Sequence, residues 1–127
     1  MPQYMLIGLV EPSSPDKQAA FDEWFVDQHV EDTTKCPNFV RGRVFKLAGG
    51  HLGSNAVSQY LSVYEVDAPS YEEAERVLNE WQQDPNAWAG RAHHHATAAK
   101  HGGMPMKIVG SGWYETLRDF TGPGPAK

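Results

Sequence analysis

Phe21-Asp22-Glu23-Trp24-Phe25-Val26-Asp27-Gln28-His29-Val30-Glu31-Asp32 is the stretch of sequence that decides the fold. At helical spacing, one face of this stretch carries aromatic rings first and then an imidazole and a carboxylate: Phe21, Trp24, Phe25, Gln28, His29 and Asp32. The pattern predicts a helix whose buried face ends in two titratable groups. Such a helix places a proton-handling group beside an apolar cavity.

The segments around this helix alternate between strand and helix patterns. Residues 3–10 are apolar on both faces, which predicts a strand that is covered on both sides. Ser14 is predicted to cap the first helix, which begins at Pro15 and ends near Lys35. Further strands are predicted at 39–47, 58–67 and within 106–117.

A second helix is predicted after the capping box of Ser70 and Glu73, and it should end near Asp84. Residues 86–103 have no clear pattern, and a short irregular helix is the expectation there. The resulting order, β-α-β-β-α-β, predicts an α+β, ferredoxin-like domain in which a four-stranded antiparallel sheet carries two helices on one face. We expect residues 1–120 to form this single domain and residues 121–127 to be a disordered tail.

The other face of this sheet would expose large apolar side chains of the first and third strands. An apolar surface of that size usually contacts a partner. A second copy, packed sheet against sheet, would cover it and give a homodimeric barrel.

Composition limits the possible partners. The 127 residues have a formal charge of −5 at pH 7 and a single cysteine. No basic surface for nucleic acid and no membrane-spanning run of ~20 apolar residues is expected. The lone Cys36 suits a reducing compartment, so a cytoplasmic protein is predicted.

The pattern Phe21-x-x-Trp24-Phe25-x-x-x-His29-x-x-Asp32, followed by Cys36-Pro37-Asn38-Phe39 and by Arg43 in the next strand, resembles the dimeric α/β-barrel superfamily. The resemblance is greatest to its EthD-like, aromatic polyketide cyclase-like branch, and it covers residues 3–83 and, more weakly, 106–117. Two departures are Asn38, where the family usually has glycine, and the long segment 86–103. Members include cyclases, cofactor-free monooxygenases, isomerases, dehydratases and haem-binding relatives.

His29 is the candidate acid or base, because an imidazole exchanges protons near physiological pH and the resemblance implies a histidine at this helix position. Asp32 would orient the imidazole, and Tyr64 would polarise a substrate oxygen. The alternatives are a structural histidine at the end of the helix and a core tyrosine with a satisfied hydroxyl.

Six further residues are predicted to contact the substrate: Trp24, Phe25, Tyr60, Arg43, Trp81 and His95. Arg41 and Arg43 are expected to share a strand face with Phe39 and Phe45, and either arginine could instead reach solvent or the partner copy. The run His93–His95 is not expected to bind a metal, because adjacent helical residues point ~100° apart. One of its rings could hang over the cavity.

The predicted function is cofactor-independent acid/base catalysis, of a cyclase, dehydratase, isomerase or lyase type, on a hydrophobic aromatic or polyketide-like small molecule. No cofactor is expected, and haem is a lesser possibility. The alternatives are a cofactor-free monooxygenase, a haem-binding protein and a ligand-binding dimer without catalytic activity.

Overall fold

Four antiparallel strands and the helices that cover one of their faces form the domain. The computed structural model describes residues 3–86 and 97–126. The strands are β1 (Gln3–Pro12), β2 (Phe39–Lys46), β3 (Tyr60–Asp67) and β4 (Met106–Glu115), in the spatial order β2-β3-β1-β4. This arrangement confirms the predicted α+β, ferredoxin-like fold.

The first helix changes its geometry three times along its length. A 3₁₀ turn, Pro15–Lys17, leads into α1 (Gln18–Phe21), a π-helical segment (Asp22–His29) and α2 (Val30–Thr34). The helix was predicted in the right place, but the prediction of regular α geometry is wrong for the π segment. In a π-helix each amide bonds to a carbonyl five residues back, so the turns are wider than in an α-helix.

The two helix starts differ in how their serines act. The prediction that Ser14 caps the first helix is wrong, because its hydroxyl donates to the Asp16 carboxylate instead of accepting from a backbone amide. The prediction for Ser70 is confirmed, since its hydroxyl accepts a hydrogen bond from the Glu73 amide at 3.2 Å. The helix that follows is α3 (Tyr71–Gln83).

The core lies between the helices and the sheet. Phe21, Trp24 and Phe25 of the first helix are at most 1% exposed. They pack against β3, where Tyr60 and Tyr64 are among the buried residues of the same cluster. A second, smaller cluster joins α3 to the end of the first helix through Cys36, Leu78 and Trp81.

A β-bulge near the start of β2 changes which residues share a face. Phe39 pairs with Val66 on the helix-covered side and packs against the Tyr64 ring, with centroids 5.4 Å apart. After the bulge, Arg43 pairs with Val63, and its guanidinium lies over the Phe45 ring on the other side. The prediction that Phe39 shares a face with the arginines is therefore wrong.

Asn38, which precedes β2, explains one departure from the family pattern. Its φ is 75°, in the left-handed region where glycine is favoured and asparagine is tolerated. Its carbonyl accepts a hydrogen bond from the Asp67 amide at 2.9 Å, which closes the end of the β2–β3 pair.

The face of the sheet that none of the described helices covers is apolar in its middle. Ile7 pairs with Val63 at its centre, and both are partly buried. Phe45 and Tyr114 on the same face are 40% and 60% exposed. Within the described ranges, no helix has the length and apolar character needed to cross a membrane.

Candidate active site

A cavity of about 140 Å³ lies between the first helix, α3 and the helix-covered face of the sheet. Its lining is mostly apolar, with a small number of hydroxyl, amide and imidazole groups. Cavities of this kind, with few polar groups among apolar walls, are typical of small-molecule sites. The described residues that line it are Leu6, Gly8, Val10, Phe25, His29, Thr33, Ser62, Tyr64, Leu78, Gln82, Met106, Ile108 and Ser111.

The cavity exists because one row of the sheet carries almost no side-chain volume. Gly8 of β1 pairs with Ser62 of β3 on one side and with Ser111 of β4 on the other. The adjacent row is bulky, since Leu6 pairs with Tyr64 and Trp113. We call the row Ser62–Gly8–Ser111 the serine–glycine row.

Gly8 itself has a steric requirement. A Cβ atom at this position would lie 2.6 Å from the Ser62 Oγ, closer than real contacts allow. A larger residue would therefore fill the floor of the cavity or displace the serine hydroxyl.

His29 enters the cavity from the π-helical segment. Its imidazole stacks on the Trp24 indole, with centroids 4.6 Å apart and an interplanar angle of 16°, and on the Phe25 ring at 5.7 Å. In an α-helix, residues five apart point about 140° apart, so the stack on Trp24 depends on the wide π turn. The stacked rings hold the imidazole at the cavity wall.

Tyr64 lines the same cavity, and its hydroxyl oxygen is buried. Its Oη has no hydrogen-bond partner among the residues that the structure describes. Burial raises the pKa of Tyr64 to about 12, although the nearby hydroxyls of Thr33 and Ser62 offset part of that increase. The phenol is therefore neutral at physiological pH and can donate a hydrogen bond.

Asp32 is buried but does not line the cavity. Its Oδ1 pairs with the Lys35 ammonium at 3.3 Å, and its Oδ2 has no partner in the described part of the chain. The Asp32 carboxylate therefore contacts Lys35 at the end of the first helix. The structure gives no support to its predicted role of orienting His29.

The other predicted site residues lie in three different places. Phe25 lines the cavity, and Trp24 supports His29 through the ring stack. The Tyr60 hydroxyl accepts a hydrogen bond from the Gln18 amide at 2.9 Å and lies outside the cavity.

Trp81 belongs to the smaller core cluster, and Arg43 lies on the uncovered face of the sheet, where its guanidinium is 3.9 Å from Glu65. Neither residue lines the cavity. His95 lies outside the described residues.

Five polar or small residues of the cavity were not predicted as site residues: Gly8, Thr33, Ser62, Gln82 and Ser111. One signal was present in the sequence. In β1 the helix-facing positions are Tyr4, Leu6, Gly8 and Val10, so Gly8 is the single gap in a bulky row. The serines that flank it come from distant segments and become neighbours only through strand pairing.

The described residues contain neither a cluster suited to a metal ion nor a reactive thiol. Within 3–86 and 97–126, no group of three histidine, cysteine, aspartate or glutamate side chains is arranged to hold a metal ion. The run His93–His95 lies outside these ranges. Burial raises the pKa of the Cys36 thiol to about 12, which keeps it in the poorly nucleophilic, protonated form.

Comparisons with known proteins support the fold. No protein-family pattern and no curated protein sequence matches the chain. Among solved structures, HapK from Hahella chejuensis superposes with a TM-score of 0.57 and 16% identity, over 95% of this chain and 99% of HapK. An ethyl tert-butyl ether D (EthD) family protein from Bacillus halodurans superposes with a TM-score of 0.51 and 16% identity, over 92% of this chain and 100% of that protein.

The chain shares the α+β fold of these two structures, one of which is an EthD family protein. At 16% identity the likeness extends to the fold alone. What the site does must therefore be argued from its own residues.

Proposed function

We propose that the protein is an enzyme that performs cofactor-independent acid/base chemistry on an apolar, oxygen-bearing small molecule. The observation that carries this proposal is the presence of His29 and Tyr64 on one cavity, the first able to exchange a proton and the second buried with an unsatisfied hydroxyl. Titratable groups that meet in an apolar cavity are candidates for catalysis. The fold shared with an EthD-family protein is consistent with a small-molecule function.

The simplest reaction of this pair is proton abstraction next to a carbonyl group. His29 takes the proton from the α-carbon, and the electron pair of the broken C–H bond moves through the carbon skeleton to the carbonyl oxygen. Tyr64, whose Oη is covered in this structure, would turn toward the ligand and stabilise the resulting enolate oxygen by hydrogen bonding. Isomerisation, dehydration and cyclisation all begin with such a step, and general acid/base catalysis contributes about 10²–10⁴ in rate.

Deuterium exchange tests this step without knowledge of the natural substrate. Acetophenone in D₂O exchanges its methyl hydrogens through the enolate, and proton NMR follows the loss of the methyl signal. We expect the protein to accelerate this exchange and His29→Ala to lose at least tenfold of the acceleration. His51→Ala, which changes an exposed loop histidine, should keep it. A protein that binds acetophenone without accelerating exchange is a ligand-binding protein, and that result would contradict the proposal.

We also propose that the uncovered face of the sheet pairs with a second copy of the chain. The support is the apolar centre of this face, where Ile7 pairs with Val63. Sedimentation velocity should report a dimer for the wild type and a monomer for Ile7→Lys, which places a charge at that centre. Lys46→Glu, on the helix-covered side of an edge strand, is a control that should remain dimeric. A dimeric Ile7→Lys would contradict the proposed interface.

A further inference from the structure

The C-terminal tail, residues 116–126, and a groove at the opposite end of the uncovered sheet face both expose apolar side chains to solvent. We propose that Phe120 of each copy docks in this groove of a second copy, so that the two tails hold the dimer together from both ends. The inference rests on the proposed dimer, because tail and groove belong to different copies, and it is independent of the acid/base chemistry.

The tail contains neither helix nor strand, yet it carries two large apolar side chains. The Thr116 amide donates to the Gln3 carbonyl at 3.0 Å and continues the pairing of β4 with β1. Beyond it, Leu117 and Phe120 are 86% and 80% exposed. The Arg118 guanidinium lies 5.0 Å from the Phe120 centroid, a contact that leaves most of the ring in water. Aromatic side chains gain free energy on burial and are enriched in protein–protein interfaces.

The groove, which we call the end groove, has a volume of about 210 Å³. Leu9 pairs with Leu61, which pairs with Phe45, so these three side chains form one row across the uncovered face. Leu47 and Val57, from the connection between β2 and β3, line the groove beyond this row, and Val57 is 70% exposed. An apolar cavity of roughly 150 Å³ holds one benzene molecule, so the end groove has room for a phenyl ring.

The tail and the end groove of one copy lie at opposite ends of the sheet. Glu115, the last residue of β4, pairs with Tyr4, and Leu9 lies about 17 Å further along β1 at the usual rise of a strand. The tail from Glu115 to Phe120 spans at most about 18 Å. Phe120 could therefore reach the end groove of its own copy only with a fully extended tail folded back across the sheet. The exposure of the ring shows that it does not lie there.

A second copy brings the groove closer to the tail. Two identical sheets packed face to face are related by a two-fold axis between them. An axis that crosses the strands near Ile7, the centre of the proposed interface, places the tail end of each sheet over the end groove of the other. The tail then crosses about two strand spacings and the gap between the sheets, each about 10 Å, which is within its length.

The affinity of the dimer tests the role of Phe120. Phe120→Ala should raise the dissociation constant of the dimer at least tenfold in sedimentation equilibrium, because each dimer loses two buried rings. The ring is exposed in the single copy, so its loss does not disturb the fold. Val26→Ala, which shortens an exposed apolar side chain on the first helix, is the matched control and should keep the wild-type dissociation constant.

A charge in the end groove should act on the same contact. Val57→Asp should also weaken the dimer at least tenfold. In combination with Phe120→Ala it should add less than threefold to the larger single effect, because both changes remove one interaction. Two effects that multiply in full would show that Phe120 docks elsewhere and would overturn the proposed groove.

Disulfide formation identifies the copy that supplies the ring. In a Cys36→Ala background, air oxidation of the double variant Phe120→Cys, Leu47→Cys should give covalent dimers on a non-reducing gel. Phe120→Cys with Val26→Cys, on the helix side of the sheet, is the control and should run as a single chain. A Phe120→Cys, Leu47→Cys protein that is oxidised within one chain would place the tail in its own groove and contradict the proposal.

The outcomes separate this inference from the proposed dimer. A dimer that Ile7→Lys dissociates and Phe120→Ala leaves intact would overturn the docking of the tail while supporting the apolar interface. A wild type that stays monomeric at every concentration would overturn both. Deuterium exchange tests the acid/base function independently of either result.

Discussion

The Trp24 indole and the His29 imidazole lie nearly parallel, with ring centroids 4.6 Å apart, although five residues separate them in one continuous helix. This contact is available because the segment Asp22–His29 is π-helical. π-Helical turns are rare and occur often at functional sites. Here the turn brings a histidine to the wall of the cavity and fixes its ring plane against an aromatic support.

Loss of the Trp24 ring should remove the closest aromatic contact of the His29 imidazole that the structure describes. The ring current of the stacked indole shifts the His29 carbon-bound protons upfield, so Trp24→Leu should move these NMR signals downfield. Trp113→Leu changes another tryptophan that packs at the edge of the core and should leave them in place. Unchanged His29 signals in Trp24→Leu would show that the stack does not form in solution.

The two buried tyrosines of β3 should respond in opposite directions to loss of their hydroxyls. Tyr64 has a buried Oη with no partner in the described residues, and such a group costs about 1–3 kcal/mol. Tyr64→Phe should therefore stabilise the protein in urea denaturation. Tyr60→Phe removes the acceptor of the Gln18 hydrogen bond and should lower the free energy of unfolding by about 0.5–1.5 kcal/mol.

This pair of variants contains its own control, because the chemical change is the same at two positions on one strand face. Equal destabilisation by both substitutions would mean that Tyr64 has a hydrogen-bond partner in solution. A stability gain at Tyr64 would show that its hydroxyl is unsatisfied in the folded protein.

The sequence predicted the fold well because local patterns decide it. The doubly apolar run of β1, the alternation in β3, the aromatic stripe of the first helix and the cap at Ser70 each agree with the same β-α-β-β-α-β order. The position of His29 on a cavity also followed from the stripe. Agreement of independent local signals is what makes such a prediction reliable.

The features that sequence reasoning missed depend on the backbone or on distant pairing. The residues Asp22–His29 fit an α pattern as well as a π pattern, so nothing in their order indicated the wide turn. The bulge after Phe39 reversed the face of that residue relative to Arg43. Gly8 had no evident role until the strand register placed Ser62 and Ser111 beside it.

Gly42 should be needed for the close approach of the first helix to β2. A methyl group at this position would overlap the Thr34 Oγ1 and contact the Tyr64 ring at 3.3 Å. The Thr34 hydroxyl already donates to the Val30 carbonyl at 2.6 Å, so it has little freedom to move away. Gly42→Ala should lower the free energy of unfolding by about 1–3 kcal/mol, the usual cost of overpacking.

A double variant tests whether the overlap with Thr34 causes the predicted loss of stability in Gly42→Ala. Gly42→Ala combined with Thr34→Ala removes the overlapping hydroxyl and should recover part of the loss, whereas Gly49→Ala should change stability by less than about 0.5 kcal/mol. No recovery in the double variant would place the strain at Tyr64 or in the backbone and not at the helix contact.

Stability should fall above pH 9 because a buried thiol and buried phenols keep their protons in the folded state. Burial raises the pKa of Cys36 from 9.0 to about 12 and that of Tyr64 from 10.0 to about 12. At a pH between the unfolded and the folded pKa of each group, the unfolded chain has lost a proton that the folded chain retains. The free energy of unfolding therefore falls as pH rises, by up to about 1.4 kcal/mol per pH unit for each group. Below pH 9 neither group contributes to the slope.

Cys36→Ala should delay this decline, because the remaining contributions are those of the buried phenols, Tyr64 and Tyr4, whose pKa values burial also raises and which begin to act near pH 10. Urea denaturation at one protein concentration and at pH 8, 9, 10 and 11 measures the difference. Ala74→Gly removes a buried methyl group and no titratable group. It should therefore lower the free energy of unfolding at every pH without changing the pH at which the decline begins. If Cys36→Ala and the wild type lose stability equally between pH 9 and 10, the Cys36 thiol is not protected by burial, and the packing of the end of the first helix against α3 is looser than the structure has it.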